Sequence, residues 1–324
     1  MATDSAHKKL ARLQGILRDM QSVLIAYSGG VDSTFLLKVA SDTLGDTMPP
    51  CGDTMPPCGD TMPPCGDTMP HSVPRSACVL AVTAVSPTYP HEEHDLACAM
   101  ARSLGVRHIS ILTNELADPT FSANPPDRCY HCKKELFRKL REIARREGMR
   151  FTADAGNADD LSDYRPGRKA AIEAEIRSPL IEAGLAKKEI RLLSKEMGLE
   201  TWDKPSAACL ASRLPYGEPI TPEKLQRVDA AEKLLRELLG DTMQHSVPIQ
   251  VRVRSHGELA RIEVESLPAD GGQALQQLAS PQMRVKVTSE LKKLGFTYVT
   301  LDLLGYRTGS LNESLPRRAR SHDT

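Results

Sequence analysis

A glycine-rich loop directly follows a short apolar run near the start of the chain. Val23-Leu24-Ile25-Ala26-Tyr27 predicts a buried strand, and Ser28-Gly29-Gly30-Val31-Asp32-Ser33 leads into a helical pattern over residues 33–43. Successive backbone N–H groups in such a turn form a concave anion site, and the following helix adds its positive end. The loop lacks the Gly-Lys-Ser/Thr ending of a Walker A motif. The sequence therefore predicts a phosphate-binding loop unlike that of kinases or GTPases.

Each residue of this loop suits one task in holding a nucleotide. Gly29 and Gly30 permit the tight backbone, and the hydroxyls of Ser28 and Ser33 can meet phosphate oxygens. Asp32 is expected to hold Mg²⁺ or to orient the loop. The pattern resembles the SGGxDS signature of the PP-loop superfamily, which cleaves ATP between the α and β phosphates. An ordinary tight turn with a capping serine is the plain alternative.

Apolar runs and helical patterns alternate over the first 200 residues, and we assign residues 1–200 to one nucleotide-binding domain. Strands are predicted at 23–27, 78–85, 107–112, 151–155 and 176–180, and helices at 8–20, 33–43, 91–104, 133–147, 169–175 and 187–197. Such alternation predicts an α/β fold, with a parallel sheet covered by helices on both faces. A ligand is then expected at the carboxyl ends of the strands.

The pattern changes after residue 200. A loop rich in small residues covers 201–220 and carries one cysteine. A helix at 221–239, alternating strands at 249–254 and 259–264, helical residues 272–294 and a strand at 298–303 follow it. We interpret 221–312 as a smaller C-terminal α+β domain for substrate binding or oligomerisation, and 313–324 as a flexible basic tail.

A low-complexity repeat interrupts the first domain at residues 45–74. Gly-Asp-Thr-Met-Pro-Pro-Cys occurs at 45–51, 52–58 and 59–65, and a partial copy follows at 66–70. The repeat has no apolar periodicity, so it cannot bury enough surface to offset the entropy of ordering it. Its prolines also forbid a continuous helix. We predict a disordered insertion between the second helix and the second strand.

Charge and hydropathy exclude several classes of protein. The 42 Lys and Arg residues equal the 42 Asp and Glu residues, which argues against a chain that grips a long nucleic acid. We find no apolar run of 18 residues and no signal-peptide pattern, so we expect no membrane partner and a cytoplasmic location. Cysteines in that compartment stay mostly reduced, and a group of them indicates a metal or catalysis before disulfides.

Three cysteines stand out by their spacing and surroundings. Cys129-Tyr130-His131-Cys132 precedes a charged helical pattern, and Cys209 lies in the later loop of small residues. A CxxC pair alone fits a redox pair, half of a zinc site or buried small residues. Three cysteines without a fourth ligand suit a [4Fe–4S] cluster with one open iron. Unremarkable cysteines remain the plain alternative.

Nearby charges favour reactive thiols at the CxxC pair. The positive end of the expected helix and the side chains of Arg128, Lys133 and Lys134 are expected to favour thiolates there. Cys51, Cys58 and Cys65 recur in the insertion at a spacing that matches no usual metal site, so we exclude them. For Cys78 and Cys98 we expect a role as small apolar fillers.

Several segments together resemble one family. They lie at 28–33, 157–168, 177–180, 202–217, 251–256, 261–263 and 301–309. Asp163-Tyr164-Arg165-Pro166-Gly167 and Ser212-Arg213-Leu214-Pro215-Tyr216-Gly217 are the most specific of them. The chain resembles the LarE family of ATP-dependent sulfur transferases, which make the nickel-pincer nucleotide cofactor of lactate racemase. The resemblance covers nearly the whole chain apart from the insertion.

The resemblance implies a substrate and a reaction. Family members adenylate the carboxylates of pyridinium-3,5-biscarboxylic acid mononucleotide and replace AMP by sulfur, which gives thiocarboxylates. One subgroup sacrifices a cysteine six residues after a tryptophan, a position that Ala208 occupies here after Trp202. A second subgroup holds a [4Fe–4S] cluster, and Cys129, Cys132 and Cys209 match its pattern. ATP, Mg²⁺ and this cluster are the cofactors we expect.

Further candidate residues carry positive charge or polar groups. Arg165 and Arg168 are expected to clamp phosphates or a substrate carboxylate, with surface arginines as the alternative. Asn157 joins the nucleotide site. Arg252 and Arg254 alternate along a strand and face one side, where they can hold the substrate 5′-phosphate, unless that face is simply solvated.

Glu232 is a candidate for metal binding or for an interface, although a solvated helix face is the favoured interpretation. We further expect a small-molecule nucleotide substrate, a sulfide donor and a homo-oligomer, with no stable nucleic-acid partner. A tRNA thiolase and an ammonia-dependent adenylating synthetase remain open as alternative functions, because both types of enzyme share the loop.

Overall fold

The computed structural model describes residues 2–45, 78–162, 165–205, 208–240, 250–264, 272–307 and 309–315. The expected insertion therefore lies outside the described residues except for Gly45. The α-helices of the described part of the protein are α1 Ala2–Met20, α2 Val31–Gly45, α3 His91–Ser103, α4 Pro119–Ser122, α5 Arg128–Arg146, α6 Pro166–Glu173, α7 Pro179–Ala183, α8 Lys187–Glu196, α9 Pro222–Gly240, α10 Gln273–Ala279 and α11 Pro281–Lys293. Its strands are β1 Val23–Ala26, β2 Val79–Val85, β3 Arg107–Leu112, β4 Phe151–Ala153, β5 Val251–His256, β6 Leu259–Val264 and β7 Tyr298–Leu301. None of the helices described is long and apolar enough to cross a membrane.

Four parallel strands form the first sheet, in the order β3-β2-β1-β4. The central strand β1 is apolar on both sides, as a strand covered on two faces must be. Val23 and Ile25 join the core packed against α1, α2 and α8, whereas Leu24 joins the core packed against α5 and α6. The predicted α/β fold with helices on both faces is confirmed.

The prediction of a strand at 176–180 is wrong. Arg177 makes a single parallel bridge with Ala153, and Pro179 then begins helix α7. Proline has no backbone N–H for a strand ladder but suits the first turn of a helix, so it ends the extended segment here. Helix α5 also begins earlier than expected, at Arg128 in place of residue 133. The CxxC pair consequently lies within the first turns of that helix.

A second, three-stranded sheet follows the order β5-β6-β7. Strands β5 and β6 form an antiparallel hairpin, and β7 pairs with β6 in parallel. Helices α9, α10 and α11 cover it with a core that includes Leu235, Val253, Ile262 and Phe296. The predicted small C-terminal α+β unit is confirmed in its secondary structure. A helical turn at Ser310–Ser314 extends into the expected tail, of which residues 316–324 lie outside the described part.

Candidate functional site

The glycine-rich loop lies at the carboxyl end of β1, as the sequence predicted. Ser33 is buried, donates a hydrogen bond to the Gly30 carbonyl at 3.3 Å and lies 3.1 Å from the Ser28 hydroxyl. Gly29 has a φ of 64°, and a Cβ there would come within 2.8 Å of the Cβ of Ala97 in α3. Only glycine fits this position without strain. The loop is therefore shaped by its glycines and braced by its serine hydroxyls.

Asp32 is the polar centre of the loop. Its carboxylate accepts hydrogen bonds from the Lys187 ammonium at 2.8 Å to each oxygen and from the Asn157 side-chain amide at 3.2 Å. Asn157 caps the short 3₁₀ turn that follows β4, and Lys187 begins α8. The sheet topology thus brings Asn157 to Asp32, as expected for two residues at the carboxyl ends of neighbouring parallel strands. Lys187 is a residue that the sequence analysis missed.

The segment after β2 connects the loop with the cysteine-bearing region. Tyr89 donates a hydrogen bond from its hydroxyl to the Ser28 carbonyl at 2.9 Å. The Leu210 amide donates to the Thr88 carbonyl at 2.9 Å, which ties the residue after Cys209 to the same segment. Thr88 also donates to the buried carboxylate of Glu115, which follows β3. The nucleotide loop and the cysteine loop are therefore parts of one carboxyl edge.

The three candidate cysteines lie near one another at this edge. Cys129 and Cys132 are three residues apart on α5, so they lie on one face of the helix, and Cys209 belongs to the later loop. Leu210, the residue after Cys209, belongs to the apolar cluster against which Cys132 packs, and this contact brings the loop of Cys209 to the same end of α5. As whole residues Cys129 and Cys209 are exposed and Cys132 is half-buried, although protein atoms crowd the sulfur of Cys129.

The expected preference for thiolates is wrong for this arrangement. Surrounding protein atoms desolvate the thiol of Cys129 and raise its pKa, and a Cys209 thiolate raises it further. Arg128 and Lys133 act in the opposite direction but do not outweigh burial. Burial and then the Glu115 carboxylate likewise raise the pKa of Cys132. The pKa of both thiols of the CxxC pair is therefore raised, although cations lie beside them.

Arg165 lies between the loop and the cysteines. Its guanidinium pairs with Asp160 at 2.9 Å, and Asp160 accepts a hydrogen bond from the Asn157 backbone amide at 3.0 Å. The same guanidinium acts to lower the pKa of Cys129, against the net rise that desolvation causes. A Cβ on Gly167 would approach the Lys133 side chain to 3.0 Å, so α6 packs closely on the CxxC turn of α5. Arg168 is exposed on α6.

The arginines of β5 are buried, so the alternative of a solvated strand face is wrong, while the substrate-phosphate site stays a prediction. Arg254 donates two hydrogen bonds to the fully buried Glu263, at 2.9 and 3.0 Å, and one to the Ser212 carbonyl at 2.7 Å. Arg252 stacks over the Tyr306 ring at 5.5 Å. Burial and the nearby Arg213 lower the pKa of Arg252 to about 10. The Glu232 carboxylate, 3.8 Å from Arg252, acts in the opposite direction.

The favoured interpretation of Glu232 as part of a solvated helix face is wrong. Glu232 is 2% exposed, and its two oxygens accept from the Arg213 guanidinium at 2.7 and 2.8 Å. The Val253 backbone amide donates to it as well, at 3.0 Å. This pairing gives Glu232 a structural role, and its metal or interface role stays a prediction. Arg213 also donates to the Cys209 carbonyl at 3.0 Å and so positions the cysteine loop.

The donor groups at this edge suit the expected cofactors in part. A carboxylate such as that of Asp32 is the type of ligand that Mg²⁺ takes. The three thiols are the type of ligand that binds iron. Within the described ranges, however, no group of three or more His, Cys, Asp or Glu side chains is already arranged to hold a metal ion.

Comparisons with known proteins identify near full-length relatives, among them the following two proteins. An uncharacterized protein of Synechocystis is 42% identical over 309 residues, 95% of this chain and 98% of the relative. The pyridinium-3,5-bisthiocarboxylic acid mononucleotide synthase of Lactiplantibacillus plantarum is 35% identical over 317 residues, 95% of each chain. No family model matches. Since the similarity to the synthase extends over almost the entire length of both proteins, the chain belongs to the LarE family.

Proposed function

We propose that the protein is an ATP-dependent sulfur transferase that converts the carboxylates of pyridinium-3,5-biscarboxylic acid mononucleotide to thiocarboxylates, with AMP and pyrophosphate as by-products. The observation that carries this proposal is the shared carboxyl edge of the sheet. There, Tyr89 contacts Ser28 of the phosphate loop, and Leu210, next to Cys209, contacts Thr88. The Lactiplantibacillus plantarum relative is named for a bisthiocarboxylic acid product, which agrees with a phosphate loop and a cysteine loop at one edge.

Adenylation is the first step that we propose, because a carboxylate is a poor electrophile. A substrate carboxylate oxygen bonds to the α-phosphorus of ATP, and pyrophosphate leaves with the electrons of the broken P–O bond. The amides of the glycine loop, the Ser28 and Ser33 hydroxyls and the α2 N-terminus would bind the phosphates. Asp32 would hold Mg²⁺, which would supply further neutralisation of phosphate charge.

Sulfur transfer is the second step. Sulfide bonds to the carbonyl carbon of the acyl adenylate, and AMP leaves with the electrons of the broken C–O bond. Cys129, Cys132 and Cys209 would hold a [4Fe–4S] cluster, which would supply a binding place for the incoming sulfide. Arg165 is held by Asp160 beside Cys129, and together with Arg168 it would orient the anionic substrate.

The C-terminal unit supplies the substrate phosphate site in this proposal. Burial is the first cause of the lowered pKa of Arg252, and a bound phosphate would favour the charged form of this guanidinium. Arg254, already paired with Glu263, would support the strand that carries Arg252. Homo-oligomeric assembly in the cytoplasm completes the proposal.

A multiple-turnover assay with purified protein tests the function. Protein loaded anaerobically with iron and sulfide would receive ATP, Mg²⁺, sulfide and the biscarboxylic acid mononucleotide. We expect AMP and thiocarboxylate to form together, and Cys209→Ala to keep AMP formation while losing sulfur incorporation. AMP formation with tRNA or with ammonia as the acceptor, and none with the pyridinium nucleotide, would contradict the proposal. Cys78→Ala is the matched control, since Cys78 is buried outside this edge.

A further inference from the structure

Lys187 contacts the phosphate loop from a distant part of the chain. Its ammonium lies 2.8 Å from each oxygen of Asp32, although the two residues are 155 positions apart. Residues 28–33 contain no lysine or arginine of their own, in contrast to a Walker A loop. Cleavage of ATP concentrates negative charge on the departing pyrophosphate, which a nearby cation stabilises. A cation from outside the loop is therefore required.

The backbone of Lys187 is fixed while its side chain is able to move. The Lys187 amide donates to the Asp159 carboxylate at 2.9 Å, and Glu189 accepts from the preceding Ala186 amide at 2.9 Å. Both contacts anchor the first turn of α8. The side chains of Lys187 and Asp32 keep 34% and 20% of their surface exposed, so water and ligands reach the pair. Ion pairs of such exposure are weak and exchange readily.

Asp32 places a negative charge beside the proposed phosphate site, which Mg²⁺ would neutralise once Lys187 has moved to the phosphates. A carboxylate beside a phosphate site repels phosphate unless a cation neutralises it. Lys204, a second lysine that bonds to the loop, is held by Glu93 at 2.6 Å and by the Gly29 carbonyl at 3.2 Å, and it is only 17% exposed. Lys187 is therefore better placed than Lys204 to meet a ligand.

We propose that Lys187 is a phosphate-binding residue of the adenylation step, whose ammonium leaves Asp32 for oxygens of the β- and γ-phosphates of ATP. This role rests on the proposed function. On exchange, Asp32 keeps its Asn157 partner and becomes available to Mg²⁺. The lysine then stays with the pyrophosphate as the P–O bond breaks. No phosphate beyond the α position exists in AMP, so Lys187 contributes to the binding of ATP and not of AMP.

Calorimetric titration of two nucleotides tests this role directly. The probes are α,β-methylene-ATP, which resists cleavage between the α and β phosphates, and AMP. Lys187→Gln is expected to lower the affinity for α,β-methylene-ATP about tenfold, the typical effect of losing one charge-assisted hydrogen bond. The affinity for AMP should stay unchanged. Lys188→Gln, on the exposed side of the same helix, is the matched control and should bind both like the wild type. An unchanged affinity for α,β-methylene-ATP, or an equal loss for AMP, overturns the proposal.

A double substitution separates phosphate binding from simple neutralisation of Asp32. If Lys187 only offsets the Asp32 charge, Lys187→Gln does not lower the affinity for α,β-methylene-ATP in a protein that already carries Asp32→Asn. Our proposal expects the loss of about tenfold to persist there, so a vanished effect contradicts it. Lys187→Met, which keeps the apolar stem, should repeat the result if Lys187→Gln does not fold. A wild-type protein that binds neither nucleotide would refute the proposed function itself, whereas normal wild-type binding with an unaltered variant refutes the Lys187 role alone.

Discussion

Arg213 and Glu232 form a two-pronged ion pair that is 2% exposed on both sides. It joins the cysteine-bearing loop to α9, because Arg213 also donates to the carbonyls of Ala208 and Cys209 at 2.7 and 3.0 Å. Loss of one partner leaves a buried charge without compensation. We therefore expect Glu232→Gln to lower the free energy of unfolding by about 3–5 kcal/mol, as measured by urea denaturation. Glu237→Gln, on the exposed face of α9, should change it by less than about 0.5 kcal/mol, and equal effects would count against the structural role.

Gly29 should tolerate alanine far less well than Gly198 does. Both residues have a positive φ, 64° and 68°, so alanine costs each of them about 1–2 kcal/mol of backbone strain. Gly198 has open space around its Cβ position, whereas Gly29 faces Ala97 at 2.8 Å. Gly29→Ala is expected to displace α3 from the loop and to weaken ATP binding as well as stability. Urea denaturation and ATP titration of both variants measure the difference, and equal losses would show that the contact with Ala97 is unimportant.

His108 should make the protein less stable in mild acid. Burial, followed by the charge of His94, lowers the pKa of His108 from 6.5 to about 4. The unfolded chain takes up a proton below about pH 6.5, while the folded protein does so only near pH 4, so the unfolded state gains stability between these values. The loss by pH 4 is about 2 kcal/mol after allowance for partial exposure.

Replacement of His108 isolates this contribution. The Thr83 hydroxyl donates to the Tyr27 carbonyl at 2.9 Å and so accepts from His108 at 2.8 Å. Glutamine preserves a donor but does not titrate, so the wild type should lose more stability than His108→Gln between pH 7 and pH 4.5. Urea denaturation across that range measures both, with His7→Gln on the surface of α1 as the control. Parallel pH profiles would contradict the prediction.

Replacement of Arg252 by methionine and replacement of Arg254 by methionine should have different effects. Arg252→Met leaves the Arg213–Glu232 pair intact, so we expect a folded protein whose KM for the pyridinium mononucleotide rises about tenfold or more. Arg254→Met removes one of two arginine partners of the fully buried Glu263, which keeps Arg261 at 3.0 Å, and should cost about 1.5–3 kcal/mol of unfolding free energy. Steady-state kinetics and urea denaturation separate the two effects. A normal KM for Arg252→Met would exclude it from the phosphate site, and Arg284→Met on the exposed face of α11 is the control.

Periodicity and loop chemistry were enough to predict the sheet and its carboxyl edge. Parallel strands place their carboxyl ends together, so the approach of Asn157 to Asp32 follows from the strand pattern. The contact of Lys187 with Asp32 could not be predicted in this way, because it depends on how α8 packs against α2. The burial of Glu232 and Arg254 was missed for a related reason. A charged residue on a helix or strand indicates solvent unless its partner is known, and both partners lie on other elements.

The number of product molecules formed by each protein chain tests the central claim most directly. Ala208 stands where the resemblance places the sacrificial cysteine of the single-turnover subgroup, so we propose that the sulfur comes from outside the chain. Protein loaded with iron and sulfide, then supplied with ATP, Mg²⁺, sulfide and the biscarboxylic acid mononucleotide, should form many thiocarboxylates per chain, each with one AMP. Mass spectrometry of the product and of the protein provides the count. Formation that stops at one thiocarboxylate per chain, with a cysteine converted to dehydroalanine, would contradict the account.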